Sequence, residues 1–260
     1  MSTVSVIGCG HMGSALVKGL SKSGEHHIIA SDIDPDAIAA IAEYASETTT
    51  DAPEATDSPI VFAALKPDII TMVLADLDLS PEQTLVSTAA GVTTEELKKH
   101  TDANVVRIMP NVAAASRNMA TAMTGDDIPA EVIALLEEVG VVVEVEESKM
   151  DVTTAVNGSG PAFVFYLIQA MQEAGIESGL APEDARVLAA QTFKGAAKIV
   201  LDSDEDLDSL IDAVCTPGGT TIEGMKILRE SDAAAAVTEA VQAAERRSRE
   251  LASEAEAANE

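Results

Sequence analysis

Two glycine-rich turns, one near each end of the chain, carry the residue types that could hold anionic ligands. The first is Gly8-Cys9-Gly10-His11-Met12-Gly13. It follows the apolar residues 4–7 and precedes an amphipathic run over residues 14–20. Strand, G-x-G-x-x-G, helix is the order a dinucleotide-binding fold requires. Gly8 permits the tight turn, Gly10 lets backbone approach a pyrophosphate, and Gly13 lets helix and strand pack closely. His11 and Met12 line the same loop. The second turn is Cys215-Thr216-Pro217-Gly218-Gly219-Thr220-Thr221. Pro217 cannot continue a helix, and Gly218 and Gly219 expose bare backbone. Thr220 and Thr221 then open a helical run whose first N–H groups have no partner inside the helix. Such a turn suits an anion, although an ordinary helix–helix turn has the same local signals.

The elements between these turns must position them. Ile28-Ile29-Ala30-Ser31 reads as a second strand, ending at Asp32. Asp32 lies close to the ~20 residues past the glycines at which an acid bonds the ribose 2′-hydroxyl. That favours NADH, and no Lys or Arg occurs from residue 23 to residue 58 to meet a 2′-phosphate. Asp32, Asp34 and Asp36 can also be read as the acidic start of a helix near Pro35.

Apolar strands at 60–65, 84–88 and 105–109 alternate with helical patterns. Ligands on parallel sheets bind at the carboxyl ends of strands. Lys66, Ala89, Ala90, Gly91 and Asn111 are therefore site candidates by position. Residues 120–124 and 141–145 read as further strands, with Glu144, Glu146 and Glu147 as a solvated edge. From residue 148 the alternation gives way to long Ala-rich helices, so the chain divides into a domain over 1–147 and a helical domain over 148–260. Asn157-Gly158-Ser159-Gly160-Pro161 interrupts the first of those helices.

Composition excludes several classes of function. The chain has 260 residues, 44 acidic and 16 basic, for a net charge of −28. That balance argues against nucleic acid or an anionic membrane surface as partner. No apolar run approaches the ~20 residues of a membrane span. The N-terminus passes straight into a strand without a signal peptide, so a cytoplasmic location is expected. Cys9 and Cys215 are too few and too isolated for a disulfide framework. No metal is expected.

Taken together the runs I-G-C-G-H-M-G (7–13), A-A-L-K-P (63–67), A-A-G-V-T (89–93), M-P-N (109–111), G-S-G-P-A-F (158–163) and D-A-V-C-T-P-G-G-T-T-I-E (212–223) resemble the pyrroline-5-carboxylate reductases. The resemblance spans nearly the whole chain, and the last run is the most specific. It implies an α/β N-terminal Rossmann domain followed by an all-helical C-terminal domain for dimerisation and substrate. It also implies NADPH or NADH as coenzyme, and a homodimer or a ring of dimers. By resemblance Thr221 is the catalytic hydroxyl at the ring nitrogen. Thr216, Gly218, Gly219, Thr220 and Asn111 would take the substrate. Gly8, Gly10, His11, Met12, Gly13, Ser31, Asp32, Ala64, Lys66, Pro67, Ala89, Ala90 and Gly91 would take the coenzyme. The chain departs from the family at Val112-Ala113, where Thr-Pro is usual, and at Asp32, where many members carry hydroxyls or cations.

Two other readings stay open on sequence alone. Dehydrogenases of the 3-hydroxyacid type share the first motif, but they use a helical Lys followed a turn later by Asn. Lys194 and Lys198 lack that Asn. A nucleotide-sensing module would need only the first cradle.

The acidic coat resembles that of proteins adapted to salt. At ~1 M salt the screening length falls to ~3 Å, which quenches self-repulsion and admits anionic ligands. Stability and activity are therefore expected to rise with KCl concentration. Full stability and activity in dilute buffer would reject that adaptation.

Overall fold

The computed structural model describes residues 2–259. Its first half is an eight-stranded sheet. In chain order the strands are β1 (Thr3–Ile7), β2 (His27–Ser31), β3 (Glu47–Thr49), β4 (Ile60–Ala63), β5 (Thr84–Ser87), β6 (Asn104–Pro110), β7 (Met119–Gly125) and β8 (Gly140–Glu144). Their order across the sheet is β3-β2-β1-β4-β5-β6-β7-β8. All neighbours run parallel except β6 and β7. β4 and β5 are buried along their whole length, which is why they read as unbroken apolar runs rather than alternating ones.

Helices cover both faces of the sheet. In chain order they are α1 (His11–Leu20), α2 (Pro35–Ala39), α3 (Pro67–Asp76), α4 (Thr94–Leu97), α5 (Ala130–Glu137) and α6 (Met150–Thr153). Leu16 and Leu20 of α1 and Leu135 of α5 pack on Val6, Ile28 and Phe62. Ile70 and Leu74 of α3 and Leu97 of α4 pack on Ile7, Val61 and Leu85 on the opposite face. This is the doubly wound α/β arrangement expected. The order reverses beside β1, and that crevice is where such sheets hold their ligands.

Two features differ from the sequence reading, and a third gives the expected helix interruption its form. β3 is a three-residue polar edge strand that no apolar run announces. Glu147 is not a solvated edge residue like Glu144 and Glu146. It accepts a hydrogen bond at 2.5 Å from Nη1 of Arg107, a guanidinium on β6 that is only 3% exposed. The interruption after α6 is a single π-helical turn, Thr154–Gly158. The Ser159 N–H bonds the Thr154 carbonyl there at 2.9 Å. Asn157 fastens the turn to the sheet, donating from Nδ2 to the carbonyls of Met109 (2.6 Å) and Ala120 (3.0 Å).

The rest is helical: α7 (Gly160–Glu177), α8 (Pro182–Asp202), α9 (Leu207–Val214), α10 (Thr220–Glu230) and α11 (Ala233–Asn259). By contacts the chain forms two compact units. One joins Met1–Ser159 with Gln242–Glu260, and the other is Gly160–Val241. Helix α11 runs through the division. Among the described residues no helix is long and apolar enough to cross a membrane.

Candidate active site

β1 ends at Ile7, and the chain turns sharply into α1. The Gly8 N–H donates to the Ser31 carbonyl at 2.8 Å, which ties the turn to the end of β2. Gly8 has φ of 90°, and a Cβ there would lie 2.5 Å from the Ala64 carbonyl oxygen. Gly13 is tighter still, because a Cβ would come within 1.7 Å of the Gly8 carbonyl oxygen. Around Gly10 nothing lies within 4 Å of such a position. Gly8 and Gly13 are thus glycines for internal packing, while Gly10 leaves room for something outside the chain.

Helix α1 has no side-chain cap at Gly10. Its first backbone bond is from Ser14 N–H to the Gly10 carbonyl, at 2.9 Å. The N–H groups of His11, Met12 and Gly13 therefore lack intrahelical partners and face the turn. These donors and the positive end of the helix dipole fit the pyrophosphate of a dinucleotide.

A cleft of about 780 Å³ opens beside this turn. Of the residues singled out from sequence, Gly8, Gly10, Ser31, Asp32, Ala64 and Lys66 line it. Asp32 is already engaged. One oxygen accepts the Cys9 N–H at 2.6 Å and the other accepts the Asp34 N–H at 2.9 Å. Each oxygen keeps a further lone pair, and the carboxylate stays at the lip where a ribose would sit. Lys66 stands at the N-cap position of α3, is exposed, and has no ion pair among the described residues. It is a free cation facing the cleft of a very acidic protein.

Cys9 lies behind the turn, with Sγ 3.4 Å from the Ser31 carbonyl oxygen. Burial, and then the nearby Asp32 charge, push its thiol up to about 12. It is a neutral packing group.

The cleft also has walls that sequence reasoning missed. Ile33 is 90% exposed and Met72 is 64% exposed, and both line it, with Thr50 and Asp51. The available signal was α3 itself, where Ile69, Met72 and Val73 are apolar beyond the buried stripe of Ile70, Thr71 and Leu74.

The remaining positions fall elsewhere. Pro67 is the first residue of α3. Ala89, Ala90 and Gly91 follow β5, with Ala89 and Gly91 buried and Gly91 at φ of 77°. Asn111 follows β6, and its Oδ1 accepts from the Ala113 N–H at 3.1 Å. None of these four residues after β5 and β6 lines the cleft.

Thr216, Gly218, Gly219, Thr220 and Thr221 belong to the helical unit. There the Gly219 N–H donates to the Thr216 carbonyl at 2.9 Å, and Gly218 takes φ of 75°. Gly219 begins α10 without a side-chain cap, and Thr220 and Thr221 are exposed on its first turn. This turn presents backbone donors to an anion in the same way as the first.

Comparison with known proteins agrees with both halves. Residues 3–91 match a family described as NADP oxidoreductase, coenzyme F420-dependent, and residues 147–251 match pyrroline-5-carboxylate reductase dimerisation. A pyrroline-5-carboxylate reductase of Methanosarcina acetivorans is 38% identical, over 95% of this chain and 97% of its own. That of Escherichia coli is 35% identical, over 92% and 94%. The solved pyrroline-5-carboxylate reductase of Coxiella burnetii superposes with a TM-score of 0.86 at 30% identity, over 96% of this chain and 98% of that one. A Plasmodium falciparum pyrroline carboxylate reductase solved with NADP bound gives 0.84 at 25% identity, with the same coverage.

Gly13→Ala drives a methyl group into the Gly8 carbonyl and must pry the turn apart. Loss of measurable NADH and NADPH binding is expected in a fluorescence titration, with the circular-dichroism spectrum retained. Wild-type affinity in that variant would show that the turn does not hold the coenzyme.

Proposed function

The chain belongs to the pyrroline-5-carboxylate reductase family, and we propose that it reduces 1-pyrroline-5-carboxylate to L-proline. The observation that carries this is identity to such reductases over nearly the full length, 95% of the chain in one case, which takes in both glycine-rich turns. When bound, the reduced nicotinamide supplies the hydride that adds to the C=N carbon, and one proton from solvent completes the amine.

The chain's own task is to hold two anionic molecules in register. Proximity and orientation can account for ~7–11 kcal/mol of such a barrier. The N–H groups opening α1 bind the pyrophosphate. Those opening α10, at Thr220 and the residues that follow it, bind the substrate carboxylate, with Thr216, Gly218 and Gly219 shaping that turn. The Thr221 hydroxyl hydrogen-bonds the ring nitrogen. Ala89, Ala90 and Gly91 lie towards the nicotinamide half, and Lys66 and Asn111 towards ribose or substrate.

The finer assignments belong to the same reading. Asp32 at the cleft lip and the absence of Lys and Arg from residue 23 to residue 58 favour NADH over NADPH. Two copies pair through the helical unit. Phe165 and Tyr166 on α7 are 63% and 72% exposed in the single chain, more apolar surface than an isolated unit leaves bare. Dimers can assemble further into rings. The enzyme works in the cytoplasm at high salt.

One assay addresses these points: oxidation of NADH and of NADPH by the imine in concentrated KCl. Turnover with a higher kcat/KM for NADH is expected. Coenzyme binding without turnover would instead make the protein a sensor. In the same assay Thr221→Ala is expected to lose about 10²–10³-fold in kcat, the usual cost of one preorganised donor, with coenzyme affinity little changed. Wild-type turnover would remove Thr221 from the mechanism.

A further inference from the structure

The loop after β5 is held from two sides, and neither hold is explained by binding a ligand. On one side Ala90 packs against a small cluster of Met109, Ala122 and Met150. On the other the backbone of α11 comes down on Gly91. A Cβ on Gly91 would lie 2.9 Å from the Cα and 3.0 Å from the N of Ala252. One helical turn before Ala252, the hydroxyl of Ser248 donates to Oδ1 of Asp151 at 2.7 Å. Ser248 is 3% exposed, so this is a buried bond rather than a surface contact. Met150 and Asp151 are consecutive residues of α6, which thus carries both the floor under the loop and the anchor for the helix above it.

A dinucleotide centred on the β1–α1 turn lays one half over β2 and the other over β4 and β5. Asp32 marks the adenosine side, so residues 89–91 lie on the nicotinamide side. We infer that residues 248–252 of α11 are a positioning clamp. Through Gly91, Ala252 fixes the nicotinamide-side loop, and Ser248 fixes Ala252 through Asp151. This rests on the reductase reading of the site. No residue of the clamp touches a reacting atom.

The test compares Ala252→Leu and Ser248→Ala with Ser253→Leu, which adds the same bulk on the exposed face of the helix. Each full-length protein is titrated at high salt with NADH and with ADP-ribose, which lacks the nicotinamide, and is assayed for turnover. Ala252→Leu is expected to weaken NADH by about tenfold and to lower kcat on the order of 100-fold, the cost of about 1 Å of misplacement. ADP-ribose affinity stays at the wild-type value, and Ser253→Leu matches wild type throughout. Ser248→Ala shows the same split in smaller measure, and it decides the matter where the leucine does not fold. Wild-type NADH affinity and turnover in Ser248→Ala and in folded Ala252→Leu would overturn the clamp. So would equal losses for NADH and ADP-ribose. A wild-type protein inert towards the imine sinks the reductase reading, yet the split between NADH and ADP-ribose would still uphold the clamp.

Discussion

The close approach of Gly13 to the carbonyl of Gly8 is the constraint on which the first site depends. A Cβ on Gly13 would lie only 1.7 Å from the Gly8 carbonyl oxygen, so it is the missing side chain that lets α1 begin directly above the end of β1. The helix then points its free N–H groups at the crevice where the strand order reverses. Gly8 meets a matching demand from the neighbouring strand, since the Ala64 carbonyl occupies the space a side chain would need. These contacts are backbone on backbone, so no side-chain repacking can relieve them. The chemistry of the crevice follows from where they put the helix.

That arrangement answers an electrostatic difficulty. A protein of net charge −28 must hold a coenzyme and a substrate that are both anions. Both glycine-rich turns offer backbone dipoles, which carry no net charge and need no cation. Lys66 is the exception among the lining residues. By charge alone Asp32 is a poor neighbour for phosphates. Its oxygens accept the Cys9 and Asp34 N–H groups, so the carboxylate helps to build the turn and spreads its charge over the loop.

Much of this was legible in the sequence because it depends on local chemistry. Buried parallel strands must be apolar throughout, so β4 and β5 announce themselves, and the glycine spacing fixes the first turn. Pro217-Gly218-Gly219 likewise dictates a break between α9 and α10. What was hidden depends on pairing over distance. β3 is Glu-Thr-Thr, and only its place beside β2 makes it a strand. The reversed direction of β7 is set by a short connection after Asn111, not by composition. Glu147 looked solvated because nothing in sequence said that Arg107 would be buried beside it. The contact of Ala252 on Gly91 joins residues far apart in the chain and leaves no local trace.

The two units differ in how they are stabilised, and this bears on where a complete site can exist. The sheet unit has two cores, with large side chains such as Phe62, Leu16 and Leu74 fully buried. In the described residues 160–241 only Ala185 and Ala189 are buried. Two alanines supply little of the apolar burial that must offset the ordering of some eighty residues. Meanwhile Leu188, Val187, Ile199 and Leu201 of α8 remain open. A helical unit of this kind needs another surface to complete its core, in keeping with the match of residues 147–251 to a dimerisation family. The turn bearing Thr221 sits in that sparsely buried unit, so its geometry leans on whatever completes the core. The turn at residues 8–13 has no such dependence, because it is tied to the end of β2 within the sheet unit. The two glycine-rich turns thus rest on unequal supports, one a finished core and the other a core still to be completed.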